Sequence, residues 1–183
     1  RPHQIVMTAT PIPRTLALTV YGDLEVSTLR ELPDGRQPIK TWWINRTRQK
    51  EVLEHILKRV KNGEQVYFVF PLIEETEKMD LLAATEEYER LRKGAFKDLQ
   101  MGLVHGRLPS DEREQVMKRF RDGEVQVLVA TSVIEVGVDN PNATVMVIEN
   151  AERFGLSQLH QLRGRIGRGT KASECFLFGN PAT

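Results

Sequence analysis

The sequence has little of several features that would assign a protein to a class. It contains one cysteine, Cys175, in 183 residues, which excludes an intramolecular disulfide framework and is typical of a reducing compartment. No apolar run approaches the roughly 20 residues that span a bilayer, and no signal-peptide pattern is present. No group of residues resembles a metal site. We therefore expect a cytoplasmic protein with no membrane partner and no metal ligands of its own.

The chain also lacks a strong net charge, which is +1 at pH 7. Without a general basic field, any nucleic-acid partner must be held by a local patch. The chain is 40% hydrophobic and 28% charged, a balance that suits one compact domain, with or without a tail. Because the chain opens at Arg1 rather than at a methionine, we expect it to be a piece of a longer protein.

Apolar runs alternate with amphipathic segments along most of the chain. Six runs of this kind predict strands over residues 39–44, 65–70, 101–105, 125–130, 144–148 and 174–178. Several of these runs are apolar almost throughout, as strands covered on both faces require. The alternation predicts an α/β domain with a mainly parallel sheet over residues 39–183. Residues 1–38 are interpreted as the end of a preceding domain and a linker.

Three segments between these runs have helical periodicity. Over residues 45–63, Asn45 is suited to cap the start and Gly63 to end the helix. Residues 109–123 open with acidic residues and close with basic ones, which suits the helix dipole. In the acidic stretch 74–95, apolar residues predict a helix on the outer layer of the sheet; they are Leu81, Leu82, Tyr88 and Leu91.

A dense basic run, QLRGRIGR, occupies residues 161–168. Arginine carries a permanent charge and a planar fork of donors, which suits phosphate better than lysine does. Gly164 and Gly167 would let the backbone approach a bulky anion. The alternative reading is a solvated basic loop at the end of a helix.

Loops at the carboxyl ends of parallel strands are where ligands gather in open sheets. Four strand-like segments, including one over residues 4–7, are followed by hydroxyl, small or basic residues, and the fourth loop leads through a helix to the arginine run. Such residues can hold phosphates, although each loop alone also fits ordinary turn chemistry. We expect the four loops to lie along one edge of the sheet.

Four segments together resemble the later motifs of superfamily 2 helicases and translocases. They are TATPIPRTL (8–16), LVHGR (103–107), LVATSVIEVGVD (128–139) and QLHQLRGRIGRG (158–169). The resemblance implies a RecA-like three-layer domain, the second lobe of a motor of the P-loop NTPase class. The connecting segments, such as ELPDGR (31–36) and ENAERFGL (149–156), are similar to those of bacterial ATP-dependent DNA helicases that remodel branched DNA. A transcription–repair coupling translocase and a non-catalytic nucleic-acid-binding module stay open as alternatives.

The resemblance also implies roles for individual residues. Arg165 and Arg168 match the arginine fingers that stabilise charge on the transferred phosphoryl group. Gln161, Gly137 and Asp139 match residues at the nucleotide. The positions that touch DNA match Gly106, Arg107, Thr131 and Ser132, and those that couple ATP state to movement match Thr8 and Thr10.

The first lobe of such a motor binds most of the ATP and its Mg²⁺, and its motifs are missing from these residues. The sequence contains no Gly-x-x-x-x-Gly-Lys-Ser/Thr loop. The acidic pair Asp111 and Glu112 opens an amphipathic helix, where acids suit the positive end of the dipole, so it is not interpreted as a magnesium site. We therefore expect the chain alone to hydrolyse little ATP and to bind DNA weakly, and the neighbouring first lobe to be its partner in the same protein.

The adjacent tryptophans Trp42 and Trp43 allow two interpretations. Neighbouring residues of a strand face opposite sides of a sheet, so one of them at most can be core. A platform for stacking of DNA bases is the alternative.

Overall fold

The computed structural model describes Ser27 and residues 37–71, 77–131 and 140–179. The chain divides into two compact units, residues 1–34 and 35–183, and the three long ranges belong to the second. The predicted domain boundary between residues 38 and 39 stays a prediction.

All six predicted strands are present, with bounds that differ by at most two residues at either end. Helices or turns separate them along the described chain. The elements are β1 (Lys40–Ile44), α1 (Gln49–Lys61), β2 (Gln65–Phe70), α2 (Glu77–Lys93), β3 (Met101–Val104), α3 (Ser110–Arg121), β4 (Val127–Thr131), β5 (Ala143–Ile148), α4 (Leu156–Arg163) and β6 (Glu174–Phe178). Short 3-10 turns occupy Arg46–Arg48, before α1, and Ala151–Arg153, before α4.

The strands form one six-stranded sheet in the order β1-β6-β5-β2-β4-β3, and every described pairing is parallel. Helices α1 and α2 pack on one face, against Val66 and Phe68 of β2. Helices α3 and α4 pack on the other face, against Tyr67 and Val69. The predicted three-layer α/β fold is confirmed.

Local sequence signals determine where α1 begins and ends. The Asn45 side chain accepts a hydrogen bond from the Thr47 amide at 3.0 Å, and the 3-10 turn Arg46–Arg48 leads into the helix. Gly63 adopts a φ of +79° just after the helix, a conformation that glycine reaches without steric cost. Gly63 is confirmed as the stop of α1, whereas Asn45 caps the 3-10 turn before the helix, and the N-cap residue of α1 itself is Arg48.

Two predictions about apolar side chains need correction or refinement. In α2, Leu91 is buried as predicted, but Leu82 is 58% exposed because it lies on the side of the helix turned away from the sheet. Trp42 and Trp43 are both about half-exposed, at 47% and 44%. They lie on β1, one of the two edge strands of the described sheet, where neither face is fully covered.

A buried amide cluster ties β2 to the segment that enters β5. The Gln65 Nε2 group donates to the carbonyl oxygens of Phe120 and Val125, each at 2.6 Å. Asn140 Nδ2 donates to Gln65 Oε1 at 3.0 Å, and Asn140 Oδ1 accepts from the Asn142 amide at 3.0 Å. Both amide side chains are buried, so each needs these partners.

We expect the substitution Asn140→Ala to lower the free energy of unfolding of this chain by about 2 kcal/mol, since it leaves the buried Gln65 carbonyl and the Asn142 amide without a partner. Urea denaturation of the chain measures the change. The exposed neighbour Asn142 is the control, and Asn142→Ala should change stability by less than about 0.5 kcal/mol. Equal unfolding midpoints for the two variants would contradict a stabilising role for the cluster.

Candidate nucleotide and nucleic-acid sites

The arginine run begins in the last turn of α4 and continues into the turn after it, and it is held by an apolar anchor. On α4, Leu162 is buried and Leu159 packs against the same core, while Gln161 is exposed. The chain then turns, with the Arg165 amide donating to the Leu162 carbonyl at 2.9 Å. Ile166 is fully buried. Because Ile166 is anchored in the core, the half-buried Arg165 and the exposed Arg168 are presented from a fixed turn.

Glycine contacts locate this turn at the amino-terminal edge of the sheet. Gly167 has a φ of +72°, and a Cβ atom added there would lie 3.0 Å from Ile39 Cγ1, just before β1. A Cβ atom at Gly169 would lie 2.9 Å from the carbonyl oxygen of Pro141, just before β5. A side chain at Gly169 would clash with the Pro141 backbone, and one at Gly167 would be strained by the positive φ and crowded by Ile39, so glycine permits the close packing. The arginine run therefore lies beside the starts of the strands.

The loops that were expected to share an edge with the arginine run lie at the opposite one. Gly106 and Arg107 follow β3 and are exposed at the carboxyl edge. Thr131 is the last residue of β4 and lies at the same edge. The expectation of a single common edge is wrong for the arginine run, because α4 carries the chain back across the face of the sheet before Arg165 and Arg168.

Two polar side-chain atoms at this edge, on Thr131 and His105, are buried, unlike the exposed neighbours Gly106 and Arg107. Thr131 is 1% exposed, and its hydroxyl has no hydrogen-bond partner among the described residues. His105 Nδ1 is likewise buried without a partner within the described ranges. Of the described residues predicted to contact DNA, Gly106 and Arg107 are accessible and Thr131 is not.

Five predicted site residues lie outside the described residues: Thr8, Thr10, Ser132, Gly137 and Asp139. The two described residues that flank the segment 132–139 are nevertheless informative. Thr131 ends β4 at the carboxyl edge, and Asn140 precedes β5 at the amino-terminal edge. The described residues on either side of the segment 132–139 therefore lie at opposite edges of the sheet.

Glu149, which follows β5, has no role predicted from the sequence. Its side chain is 2% exposed, and Oε2 lies 3.2 Å from the guanidinium of the half-exposed Arg46. Oε1 has no hydrogen-bond partner in the described part of the chain. Burial raises the pKa of Glu149 to about 7, against the opposing charge of Arg46. An acidic residue directly after an apolar strand was the available sequence signal.

The Cys175 thiol and the acidic pair Asp111 and Glu112 have structural roles. Burial raises the pKa of the Cys175 thiol to about 12, which leaves it protonated and unreactive at neutral pH. Asp111 and Glu112 lie in the first turn of α3, as predicted. No cluster of three potential metal ligands is found in the described ranges. Within the same residues, no helix has the length and apolar character needed to cross a bilayer.

The sequence profile described as "Helicase conserved C-terminal domain" matches residues 48–170. The chain belongs to this family. The match extends from the turn before α1 to the end of the arginine run and therefore includes both edges described above. The predicted resemblance to superfamily 2 helicases is confirmed.

The curated relatives of the chain include ATP-dependent DNA helicases named RecG. The RecG of Synechocystis sp. is 58% identical over 98% of this chain, and that of Bacillus subtilis is 49% identical over 98%. A solved structure titled "Structure of RecG bound to three-way DNA junction" covers 96% of the chain at 47% identity, with a TM-score of 0.78. The chain spans only 22% and 26% of the two relatives and 22% of the solved chain.

More distant structures agree in fold alone. The second domain of the DEAD-box helicase Mss116p, solved with an RNA duplex, is 22% identical over 77% of this chain, with a TM-score of 0.61. This likeness supports the RecA-like architecture and says nothing of the substrate.

We expect the stability of the chain to depend on pH through Glu149. Its pKa is raised from 4.5 to about 7 in the folded chain, so the folded state binds the proton more tightly than the unfolded state. The free energy of unfolding should therefore fall as pH rises from about 4.5 to about 7, by up to about 3 kcal/mol. Glu149→Gln should remove this fall. The free energy of unfolding of the variant, relative to that of the parent chain, should therefore be higher at pH 8 than at pH 5.

Urea denaturation at the two pH values measures the difference. Glu114→Gln, which changes an exposed carboxylate on α3, is the matched control and should leave the pH dependence unchanged. The same pH dependence in both variants and the parent chain would show that Glu149 titrates normally.

Proposed function

We propose that this chain is the second lobe of a cytoplasmic, ATP-driven DNA helicase that remodels forks and junctions in recombination and repair. The observation that carries the proposal is the likeness to RecG over nearly the whole chain, at 47–58% identity to two RecG sequences and one solved RecG structure. One of these relatives was solved on a three-way DNA junction. The position of the arginine run at the amino-terminal edge and of the exposed loop after β3 at the carboxyl edge supports the proposal.

The nucleotide would be bound at the amino-terminal edge. Arg165 and Arg168 extend from one turn, fixed by the buried Ile166, and Gln161 is exposed one turn earlier on α4. Two guanidinium groups beside the γ-phosphate would stabilise the charge that develops as the phosphoryl group transfers. Gly137 and Asp139 are proposed to complete this side of the nucleotide, while the first lobe would bind most of the ATP and the Mg²⁺.

The DNA backbone would cross the carboxyl edge. Gly106 and Arg107 are exposed there after β3, and Ser132 is proposed to lie along the same track. Thr131, which is buried, is proposed to reach the DNA only if the edge opens when DNA binds. A backbone amide and a guanidinium group suit phosphate contacts that ignore sequence, as translocation requires. Thr8 and Thr10 are proposed to couple nucleotide state to lobe movement.

This arrangement separates the two ligands across the sheet of one lobe. The residues that flank the segment 132–139 in sequence lie at the two edges, Thr131 at the carboxyl edge and Asn140 at the amino-terminal edge. In this proposal, closure on ATP at one edge repositions the DNA contacts at the other, which is the requirement for a stepwise motor. The measurements below also test the two alternatives, a transcription–repair coupling translocase and a non-catalytic module.

The first measurement is the rate of ATP hydrolysis by the full-length protein on a three-way fork and on linear duplex of equal length. We expect the fork to stimulate hydrolysis more strongly, because a branched substrate is the proposed target. Equal stimulation by both DNAs would favour the coupling translocase. The absence of stimulation by either DNA would favour the non-catalytic module.

In the same protein, Arg168→Ala should reduce the kcat of fork-stimulated hydrolysis by about 10³-fold or more, because an arginine finger acts on the transition state. DNA affinity, measured by fluorescence anisotropy, should stay within about twofold, since the arginine run and the proposed DNA track lie at opposite edges. Lys171→Ala removes an exposed charge near the run and is the control, with nearly normal kcat. A normal kcat in Arg168→Ala would overturn the finger assignment.

A further inference from the structure

A short linker between β5 and α4 determines where the arginine run begins. It consists of residues 149–155 and includes the 3-10 turn Ala151–Arg153. Asn150 has a φ of +48° and is the one non-glycine residue with positive φ among the described residues. Ala151 and Phe154 are buried against the α3–α4 face. The linker therefore turns sharply at the carboxyl edge and passes onto that face.

The end of the linker nearer α4 is held by an ion pair from the opposite layer. Arg153 binds the Asp80 carboxylate through both terminal nitrogens, at 2.6 and 3.3 Å. Asp80 lies in the first turns of α2, on the other face of the sheet, and its side chain is 6% exposed. A two-pronged guanidinium–carboxylate pair is directional as well as strong, so it fixes the orientation of Arg153.

The end of the linker nearer β5 is also held by a charge pair, but here the linker supplies the carboxylate and its partner supplies the guanidinium group. Glu149 pairs with Arg46 at 3.2 Å, and Arg46 also donates to the Asn150 side chain. Arg46 belongs to the turn that leads into α1. Gln49 of α1 in turn donates to Glu87 of α2 at 3.4 Å, so the two anchoring helices are linked to each other.

Apolar packing alone would fix the position of α4 less precisely than the two charge pairs do. The helix has eight residues, and Leu159, Leu162 and Ile166 attach it and the following turn to the core. Burial of apolar surface has no preferred direction, so a short helix held only in this way can shift along the face. The two charge pairs lie across the edge from this face and oppose such a shift.

We propose that Asp80 and Arg46 are positioning residues for the arginine run. By binding the two ends of the linker 149–155, they set where α4 starts and therefore where Arg165 and Arg168 are presented to the nucleotide. This inference rests on the proposed function of the run. Neither residue touches the nucleotide in this proposal, and both act through the linker. A displacement of about 1 Å in a catalytic group can reduce the rate about a hundredfold.

The test uses Asp80→Asn in the full-length protein, a change that keeps the shape of the side chain and removes its charge. We expect the kcat of DNA-stimulated ATP hydrolysis to fall about tenfold to a hundredfold, with the KM for ATP and the DNA affinity within about twofold. Asp80→Glu, which restores the carboxylate, should recover part of the lost kcat. Arg46→Gln should change kcat in the same direction as Asp80→Asn.

The control is Asp122→Asn, which breaks the exposed Lys118–Asp122 pair of 2.8 Å in α3 and its cap and should leave kcat unchanged within about twofold. Unfolding midpoints of all variants separate a positioning effect from general destabilisation. A wild-type kcat in Asp80→Asn, or a loss of kcat that simply follows the unfolding midpoint in every variant, would overturn the inference.

Hydrogen exchange of the amides in residues 156–168 provides a reading independent of activity. Faster exchange in Asp80→Asn and unchanged exchange in Asp122→Asn would support the positioning role. This result would stand even if the parent protein hydrolysed no ATP, because the lack of hydrolysis would count against the proposed function alone. Unchanged exchange in both variants, with active parent protein and normal kcat, would reject the positioning role and leave the proposed function intact.

Discussion

The burial of β2 on both faces is the constraint on which the rest of the structure depends. All six residues of this strand are buried, and β4 and β5 pair with it on either side. A parallel strand covered on both faces requires helices on both faces, and each connection must return the chain from the carboxyl edge to the amino-terminal edge. The loops at both edges are therefore the segments left available for ligands.

The two edges differ because of how the chain returns between β5 and β6. The eight residues of α4 cover about 12 Å, which is most of the length of a five-residue strand at about 17 Å. The residues after α4 consequently reach the starts of the strands, where Gly167 and Gly169 pack against Ile39 and Pro141. The arginines come after β5 in sequence, but α4 places them at the edge opposite the end of that strand.

How much the sequence predicts depends on whether a signal is local. Strand positions and the Gly63 stop of α1 follow from neighbouring residues, and the structure confirms them. The edge of the arginine run was predicted wrongly, because it depends on the length of α4 relative to the strands. The Asp80–Arg153 pair joins residues 73 positions apart, and no local pattern identifies such a pair. The exposure of Leu82 depends in the same way on how α2 is rotated on the sheet.

The buried charges of this lobe are better explained by geometry than by stability. An ionised Glu149 opposes folding because burial raises its pKa to about 7, and one partly exposed arginine does not fully offset that cost. Buried ion pairs in general add little net stability compared with apolar residues of the same shape. They do restrict the relative orientation of the groups they join, which apolar contacts leave freer. Under the proposed function, Arg165 and Arg168 must be presented at a fixed distance from a separate lobe, and the linker before α4, where both pairs are found, would supply such restriction.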